Sequence, residues 1–342
     1  MTAKILVTGA NGFIAGEIIH QLLDQGKHVV GTVRSLGKAE TLITKYRQHY
    51  DSGMLSFVTL NLSDPDEFAP ILSQDKSISI VIHTAQPMPF TAREDPIAEI
   101  VEPSVQSVKK LLDVLESQPQ IKRLVFTSSN VALYNHTLKA AKDVLTEKSW
   151  VATEIGDVGS DLLNAYSVAK KEGEKAIYKY FETHKNSHFI AKVVCPPYIF
   201  GPIDQGYIGG DIENGTMKFL YAIWTGSALP DALGEGGWYT DVRDIASAHI
   251  QAADSNQTDD TVSRYVVVKD KFSFSQASKI FRHKFGDKNP NIYEDKTESD
   301  PEKLDIPDFD FSATNKQIKF KYNVSFEDSL YAVGNQFFEM SH

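Results

Sequence analysis

The stretch TGANGFIAGEII, residues 8–19, follows directly on the apolar run KILV of residues 4–7 and opens a helical pattern. Gly9, Gly12, Ala15 and Gly16 put small residues where a strand turns sharply into a helix. Small side chains permit the tight turn, let the backbone approach a pyrophosphate, and aim that charge at the helix N-terminus. The spacing is glycine, two residues, glycine, two residues, alanine rather than G-x-G-x-x-G, and a plain tight turn is the competing reading. No Gly-Lys-Ser/Thr follows, so the turn is not a phosphate loop of the ATPase kind.

Working outward, the runs HVVGTV, LSFVTL, SISIVIH, RLVFTS and FIAKVV repeat the short Val- and Ile-rich pattern of KILVTG, and each pair is separated by enough chain for a crossover helix. That rhythm predicts an α/β fold, a doubly wound parallel sheet with helices on both faces. After Cys195 the texture changes to the proline-rich CPPYIFGP, followed by many glycines and aromatics, which predicts the start of a smaller substrate-binding lobe. The expected division is 1–195 plus returning segments about 238–269 for the cofactor-binding part, and 196–237 with about 270–342 for the lobe. Amphipathic helices are expected near 273–285 and 325–339. The polar segment 288–310 reads as an irregular surface loop.

The chain has 342 residues, a net charge of −10 and a pI near 5.5, with 42% hydrophobic and 23% charged residues. An acidic balance without clustered cations disfavours nucleic acid. No apolar run reaches the length of a membrane span, and no leader pattern precedes the first strand, so a cytoplasmic protein is expected. The single cysteine, Cys195, forms no internal disulfide and suits a reducing compartment. Without a secretory signal, the Asn-x-Ser/Thr triplets at Asn61, Asn135, Asn214, Asn256 and Asn323 read as chance. His184 and His188 have metal-like spacing but span a helix end with no carboxylate or cysteine to complete a set, so no metal is expected. In DVRD, Asp241 or Asp244 is expected to cap a helix and Arg243 to pair locally.

At the end of the second strand, where a carboxylate would bind the ribose 2′-hydroxyl of NAD, the chain carries Arg34 and Lys38, with Glu40 the first acid. Two cations without a carboxylate favour a 2′-phosphate and hence NADPH/NADP+; a solvated loop is the bland alternative. The fifth strand ends in LVFTSSNVALY, which places Ser128 and Ser129 at the carboxyl edge of the sheet, where open α/β sheets bind ligands. Tyr166 follows Ser129 by 37 residues, in NAYSVAKKEGEK, on an expected helix from Asp161 to Tyr180. Lys170 is four residues further on, about 5–6 Å away on the same face, where its charge is expected to lower the phenol's pKa. Spacing alone is a weak signal, since Tyr265 and Lys269 repeat it on an expected strand, where they would lie about 13 Å apart. Together with the glycine turn and the paired cations, Ser129, Tyr166 and Lys170 can polarise a carbonyl, protonate its oxygen, and hold the nicotinamide ribose.

With these motifs in place, TGANGFIA, GTVRSLGKAE, VIHTAQP, RLVFTSSNVA, AYSVAKKEGEKA, YIFGP and YTDVRDIASAH resemble the extended short-chain dehydrogenases/reductases over nearly the whole chain. The greatest similarity is to the fungal methylglyoxal and carbonyl reductase group, related to plant dihydroflavonol reductases. The resemblance implies a Rossmann fold, the Ser129/Tyr166/Lys170 triad, and NADPH contacts from Gly9, Ala10, Asn11, Gly12, Phe13, Ile14, Arg34, Lys38, Asn61, Leu62, Thr84 and Ala85, together with Tyr166, Lys170, Pro196 and Pro197. Two departures stand out: Asn61 replaces a frequent aspartate, and Gln106 falls where the family has an asparagine that supports the proton relay. By analogy with family positions, Phe90, Asn130, Tyr134, Leu163, Tyr198 and Trp238 are the pocket candidates. Between Pro196 and Val242 lie eight aromatics, one lysine (Lys218) and no arginine, which favours an uncharged carbonyl substrate over a nucleotide-sugar diphosphate. The expected activity is NADPH-dependent reduction of aldehydes and ketones, by a monomer or homodimer. The alternatives are a nucleotide-sugar epimerase or dehydratase and a non-catalytic NADP-sensing regulator.

Overall fold

Each apolar run becomes a strand. In chain order the strands are β1 (Lys4–Thr8), β2 (His28–Val33), β3 (Leu55–Thr59), β4 (Ile78–His83), β5 (Arg123–Thr127), β6 (Ile190–Cys195), β7 (Tyr198–Phe200), β8 (Gly236–Asp241), β9 (Val262–Val266) and β10 (Asp270–Ser273). The structure is a computed structural model and describes residues 3–61, 67–86, 94–134, 144–203, 215–227, 235–255, 261–318 and 320–340. Between the strands run α1 (Phe13–Asp24), α2 (Glu40–Lys45), α3 (Arg47–Asp51), α4 (Phe68–Gln74), α5 (Glu102–Glu116), α6 (Leu162–Thr183), α7 (Met217–Thr225), α8 (Val242–Asp254), α9 (Phe274–Phe285), α10 (Ser312–Gln317) and α11 (Phe326–Met340).

Seven strands form one parallel sheet in the order β3-β2-β1-β4-β5-β6-β9, and β10-β8-β7 form a smaller mixed sheet. The large sheet is buried on both faces, and its strands therefore read as nearly continuous apolar runs. Period-two alternation sends Ile5, Val7, Ile82 and Val125 toward α1 and α8, and Leu6, Val81, Leu124 and Phe126 toward α5 and α6. Each such side chain taken fully from water stabilises the fold by about 1.5–3 kcal/mol. The strand order reverses between β1 and β4, so the turns following these two strands flank the crevice where open α/β sheets bind ligands.

Behind the small sheet, Phe200, Tyr239, Phe272 and Phe326 pack with α7, α9 and α11, the Phe200 and Phe272 rings 5.0 Å apart and edge-on. These core rings account for part of the aromatic richness seen after Cys195. Residues 288–310 are not simply a surface loop. Ile292 and Phe309 are buried, the indole Nε1 of Trp238 donates to the Pro307 carbonyl at 2.9 Å, and Leu145 and Phe309 form a parallel bridge. A polar composition concealed these few apolar anchors. Among the described residues, no helix is long and apolar enough to cross a membrane.

Candidate active site

Gly9 follows β1 with φ +67, and a Cβ placed there would lie 2.8 Å from the Cβ of Ala85. Only glycine meets both the left-handed backbone and the close approach without strain. The turn is tied down from both sides: Gly9 N–H donates to Thr32 Oγ1 at 3.2 Å, while Thr8 Oγ1 accepts the Thr84 and Ala85 N–H groups at 3.2 and 3.1 Å. Gly12, whose N–H reaches the Gly9 carbonyl at 2.8 Å, occupies the N-cap of α1 without any side-chain cap and with no acid in the first turn. The start of α1 is thus open to an anion, and Ala10, Asn11, Phe13 and Ile14 surround it. Arg34 and Lys38 are exposed just past β2, and Asn61 is exposed past β3, its N–H on Glu67 at 2.7 Å. Leu62 and Phe90 lie outside the described residues.

On the chemical side, α6 starts at Asp161, whose carboxylate accepts the N–H of Leu163 at 2.8 Å and that of Asn164 at 3.4 Å. Such a cap typically contributes about 1 kcal/mol and sets the helix start. The helix carries Tyr166 and Lys170 toward the carboxyl end of β5. The Ser129 hydroxyl, 3.5 Å from the Pro196 carbonyl, pulls the Tyr166 phenol down, which sets the two side chains within reach of each other. Lys170 Nζ donates to the Thr127 carbonyl at 3.0 Å and lies 5.6 Å from the Tyr166 ring centre. The three side chains are therefore brought together. The expected net lowering of the phenol does not result: desolvation outweighs every favourable neighbour and pushes Tyr166 up to about 12, with the Ser129 hydroxyl pulling it back in part. Burial also pulls Lys170 down to about 8, opposed by the charge of Glu174 and by Cys195. Desolvation wins for both groups, Lys170 being buried against the sheet edge and Tyr166 half-buried above it.

Asn130 and Pro196 are joined by an N–H to carbonyl hydrogen bond of 2.8 Å, and Pro197 is buried beside them. The Tyr134 ring meets Phe309 at 5.8 Å and Trp238 meets Phe309 at 5.5 Å, both edge-on, while Tyr198 stacks on Phe200 and meets Phe219, Phe272 and Phe274 edge-on. Leu163 is half-buried in the first turn of α6. Gln106 is corrected outright: it is exposed on α5, whose buried face carries Ser104, Val108, Leu111, Leu112 and Leu115, so it does not face Lys170. Helical geometry sets the outcome, because positions 104 and 106 lie on nearly opposite sides of the turn. Asp241 does cap α8, accepting from the Arg243 N–H and side chain at 2.8 Å, and Asp244 accepts the N–H groups of Asn323 and Val324.

Several neighbours were not singled out from sequence. His83 ends β4, stacks on Phe126 at 5.8 Å, touches Thr8 Oγ1 at 3.1 Å, and is pulled down to about 3 by burial and the Lys170 charge, so it stays neutral. Ser128 turns away from Ser129 and donates to Glu174. Glu174 is fully buried one turn beyond Lys170, a spacing readable in NAYSVAKKEGEK, whereas its partner Arg264 on β9 left no local signal.

Residues 5–267 match the profile described as the NAD dependent epimerase/dehydratase family. The sequence is 30% identical over 292 residues to the NADPH-dependent methylglyoxal reductase of Saccharomyces cerevisiae, covering 82% of each chain. It is 33% identical over 248 residues to a ketoreductase of Penicillium rubens, covering 72% of this chain and 70% of that one. The fold superposes on yeast methylglyoxal/isovaleraldehyde reductase complexed with NADPH with a TM-score of 0.87, at 27% identity and 99% coverage of both chains.

Proposed function

The chain belongs to the NAD dependent epimerase/dehydratase family, as an extended short-chain dehydrogenase/reductase, and we propose that it is an NADPH-dependent reductase of aldehydes and ketones. One observation carries the reading: Lys170 lies on the Thr127 carbonyl at the carboxyl end of β5, 5.6 Å from the Tyr166 ring, with Ser129 two residues beyond.

The cradle formed by Gly9 and Ala85 fits a dinucleotide, since a side chain at position 9 would fill it, and the uncapped start of α1 fits its pyrophosphate. Residues 9–14 would hold that pyrophosphate, Arg34 and Lys38 the 2′-phosphate, and Asn61 and Leu62 the adenine. Thr84, Ala85, Pro196 and Pro197 would line the nicotinamide end, with Lys170 on its ribose. When bound, NADPH supplies the hydride that reduces the carbonyl carbon. The Ser129 hydroxyl polarises the carbonyl oxygen by donating to it, and Tyr166 gives that oxygen its proton. A phenol held near 12 keeps its proton until charge develops on the substrate oxygen. Lys170, anchored on the Thr127 carbonyl, sits where its ammonium stabilises the phenolate left behind. Asn130, Tyr134, Leu163, Tyr198 and Trp238 would line the substrate side. With Lys218 the one lysine and no arginine between Pro196 and Val242, the lobe suits methylglyoxal-like dicarbonyls and bulky ketones rather than a nucleotide-sugar diphosphate.

Loss of the NADPH absorption band is followed with a panel of carbonyl compounds, for the protein and for Tyr166→Phe, which is expected to lose at least about 100-fold in kcat. If no carbonyl oxidises NADPH while a UDP-sugar is converted, the reductase reading is wrong.

A further inference from the structure

The working face of α6 continues one turn beyond the proposed proton donor. Tyr166, Lys170 and Glu174 stand at successive four-residue steps, and Lys170 and Glu174 both point into the protein, at 4% and 0% exposure. Groups from two strand ends and from the middle of a third strand converge on the Glu174 carboxylate. Ser128 donates to Oε1 from the end of β5, and Cys195 Sγ approaches the same oxygen at 3.6 Å from the end of β6. Arg264 on β9 brings Nε to 2.6 Å from Oε2, a charge contact rather than a linear hydrogen bond. Arg264 is itself fixed, with its guanidinium 4.1 Å from the Trp150 ring centre and Nη1 donating to the Glu147 and Ser149 carbonyls at 3.2 and 2.5 Å.

We propose that Glu174, clamped by Arg264 and Ser128, is a positioning residue: it is the buried counter-ion that keeps Lys170 an ammonium beside Tyr166. The proposal rests on the catalytic reading of Lys170 given above.

The argument is one of charge. Two buried cations lie near one buried carboxylate, Arg264 in direct contact with it and Lys170 one helical turn away with its ammonium on the Thr127 carbonyl, and a guanidinium does not release its proton. Any excess positive charge must therefore be relieved at Lys170. Among the described residues, the other titratable groups facing Lys170 supply no anion. His83 on β4 is neutral, Tyr166 is held up near 12, burial pushes the Cys195 thiol up to about 12, and no charged side chain of α5 is buried. Burial pulls Lys170 down to about 8 and Glu174 holds it up, so its charge at neutral pH depends on that one carboxylate. A pair retained for packing alone would be replaceable by two neutral groups with no effect on Lys170.

Two variants test this, Glu174→Gln and the double variant Glu174→Gln/Arg264→Met, the second sparing the fold an orphaned guanidinium. Protein labelled with ε-13C lysine is titrated by NMR without cofactor, the Lys170 signal being assigned by its loss in Lys170→Arg. The pH profile of kcat is measured in parallel with NADPH and a carbonyl substrate. The Lys170 midpoint is expected to fall by about one pH unit in Glu174→Gln and by less, in the same direction, in the double variant. The alkaline limb of kcat moves down with it, while Glu174→Asp restores the original midpoint. An unmoved Lys170 midpoint in both variants overturns the proposal. A moved midpoint with an unmoved kcat profile upholds it and instead removes Lys170 from the chemistry.

Discussion

Substituting Gly9 by alanine tests the turn on which cofactor binding is proposed to rest. The perturbation has two parts that can be separated. At φ +67 an L-residue costs about 1–2 kcal/mol, and a Cβ lodged 2.8 Å from the Ala85 Cβ adds an overpacking cost of about 1–3 kcal/mol. Together these make about 2–5 kcal/mol. At roughly 2.1 cal/mol/K of unfolding entropy per residue, a 342-residue chain loses 1 kcal/mol for about 1.4 °C, so Tm falls by about 3–7 °C. Gly26 serves as the control. It has φ +71 and nothing within 4 Å of the would-be Cβ, so Gly26→Ala carries the backbone cost of about 1–2 kcal/mol alone. Thermal unfolding of the wild type, Gly9→Ala, Ala85→Gly and the double variant closes a cycle. Removing the Ala85 methyl makes room for the new one, so a favourable coupling of about 1–3 kcal/mol is expected. NADPH titration of the same proteins reports whether binding recovers with the room. If Gly9→Ala costs no more than Gly26→Ala, or if the two mutations simply add, the close approach to Ala85 carries no energy and the argument from the cradle fails.

Replacing Arg34 and Lys38 together by alanine is expected to raise KM for NADPH by about tenfold or more per residue while leaving NADH use unchanged, the ordinary worth of charge-assisted phosphate contacts. Equal losses with both cofactors would remove the role given to these cations. Phe309→Ala empties the space between Tyr134 and Trp238 and is expected to cost about 3 kcal/mol of stability, read from chemical denaturation, with a shift of substrate preference toward bulkier ketones. An unchanged denaturation midpoint would show that the segment over Trp238 is not a packed wall. His83 and His249, pulled down by burial to about 3 and about 4, bind protons more weakly folded than unfolded. Their contribution is therefore fully present above about pH 6.5 and lost as pH falls toward 4 and 3. The urea midpoint should fall steeply across that window, and less steeply in His249→Gln; parallel slopes would contradict the assignment.

The strands, the glycine turn and the Tyr166–Lys170 spacing were legible in the residues because each is a local property. A period of two or of 3.6, or a cluster of small residues, is set by neighbours in the chain. The capping role of Asp241 and its pairing with Arg243 were readable for the same reason. Gln106 was misplaced because a correspondence of position was followed without the helical face, which turns it to solvent. Residues 288–310 looked like surface because polar residues outnumber the few buried anchors, Ile292, Pro307 and Phe309, that hold the segment down.

What the amino-acid sequence determined by itself was the parallel sheet, the phosphate-facing turn and the candidate proton donors, since these follow from side-chain size, periodicity and chemistry. The charge states of those donors were decided only by the tertiary structure. Tyr166 rises and Lys170 falls because folding takes both from water, and Glu174 can steady Lys170 because folding brings Arg264 and Ser128 onto the same carboxylate from two other strands. Desolvation and long-range pairing depend on which distant segments meet, and no short stretch of sequence carries that information.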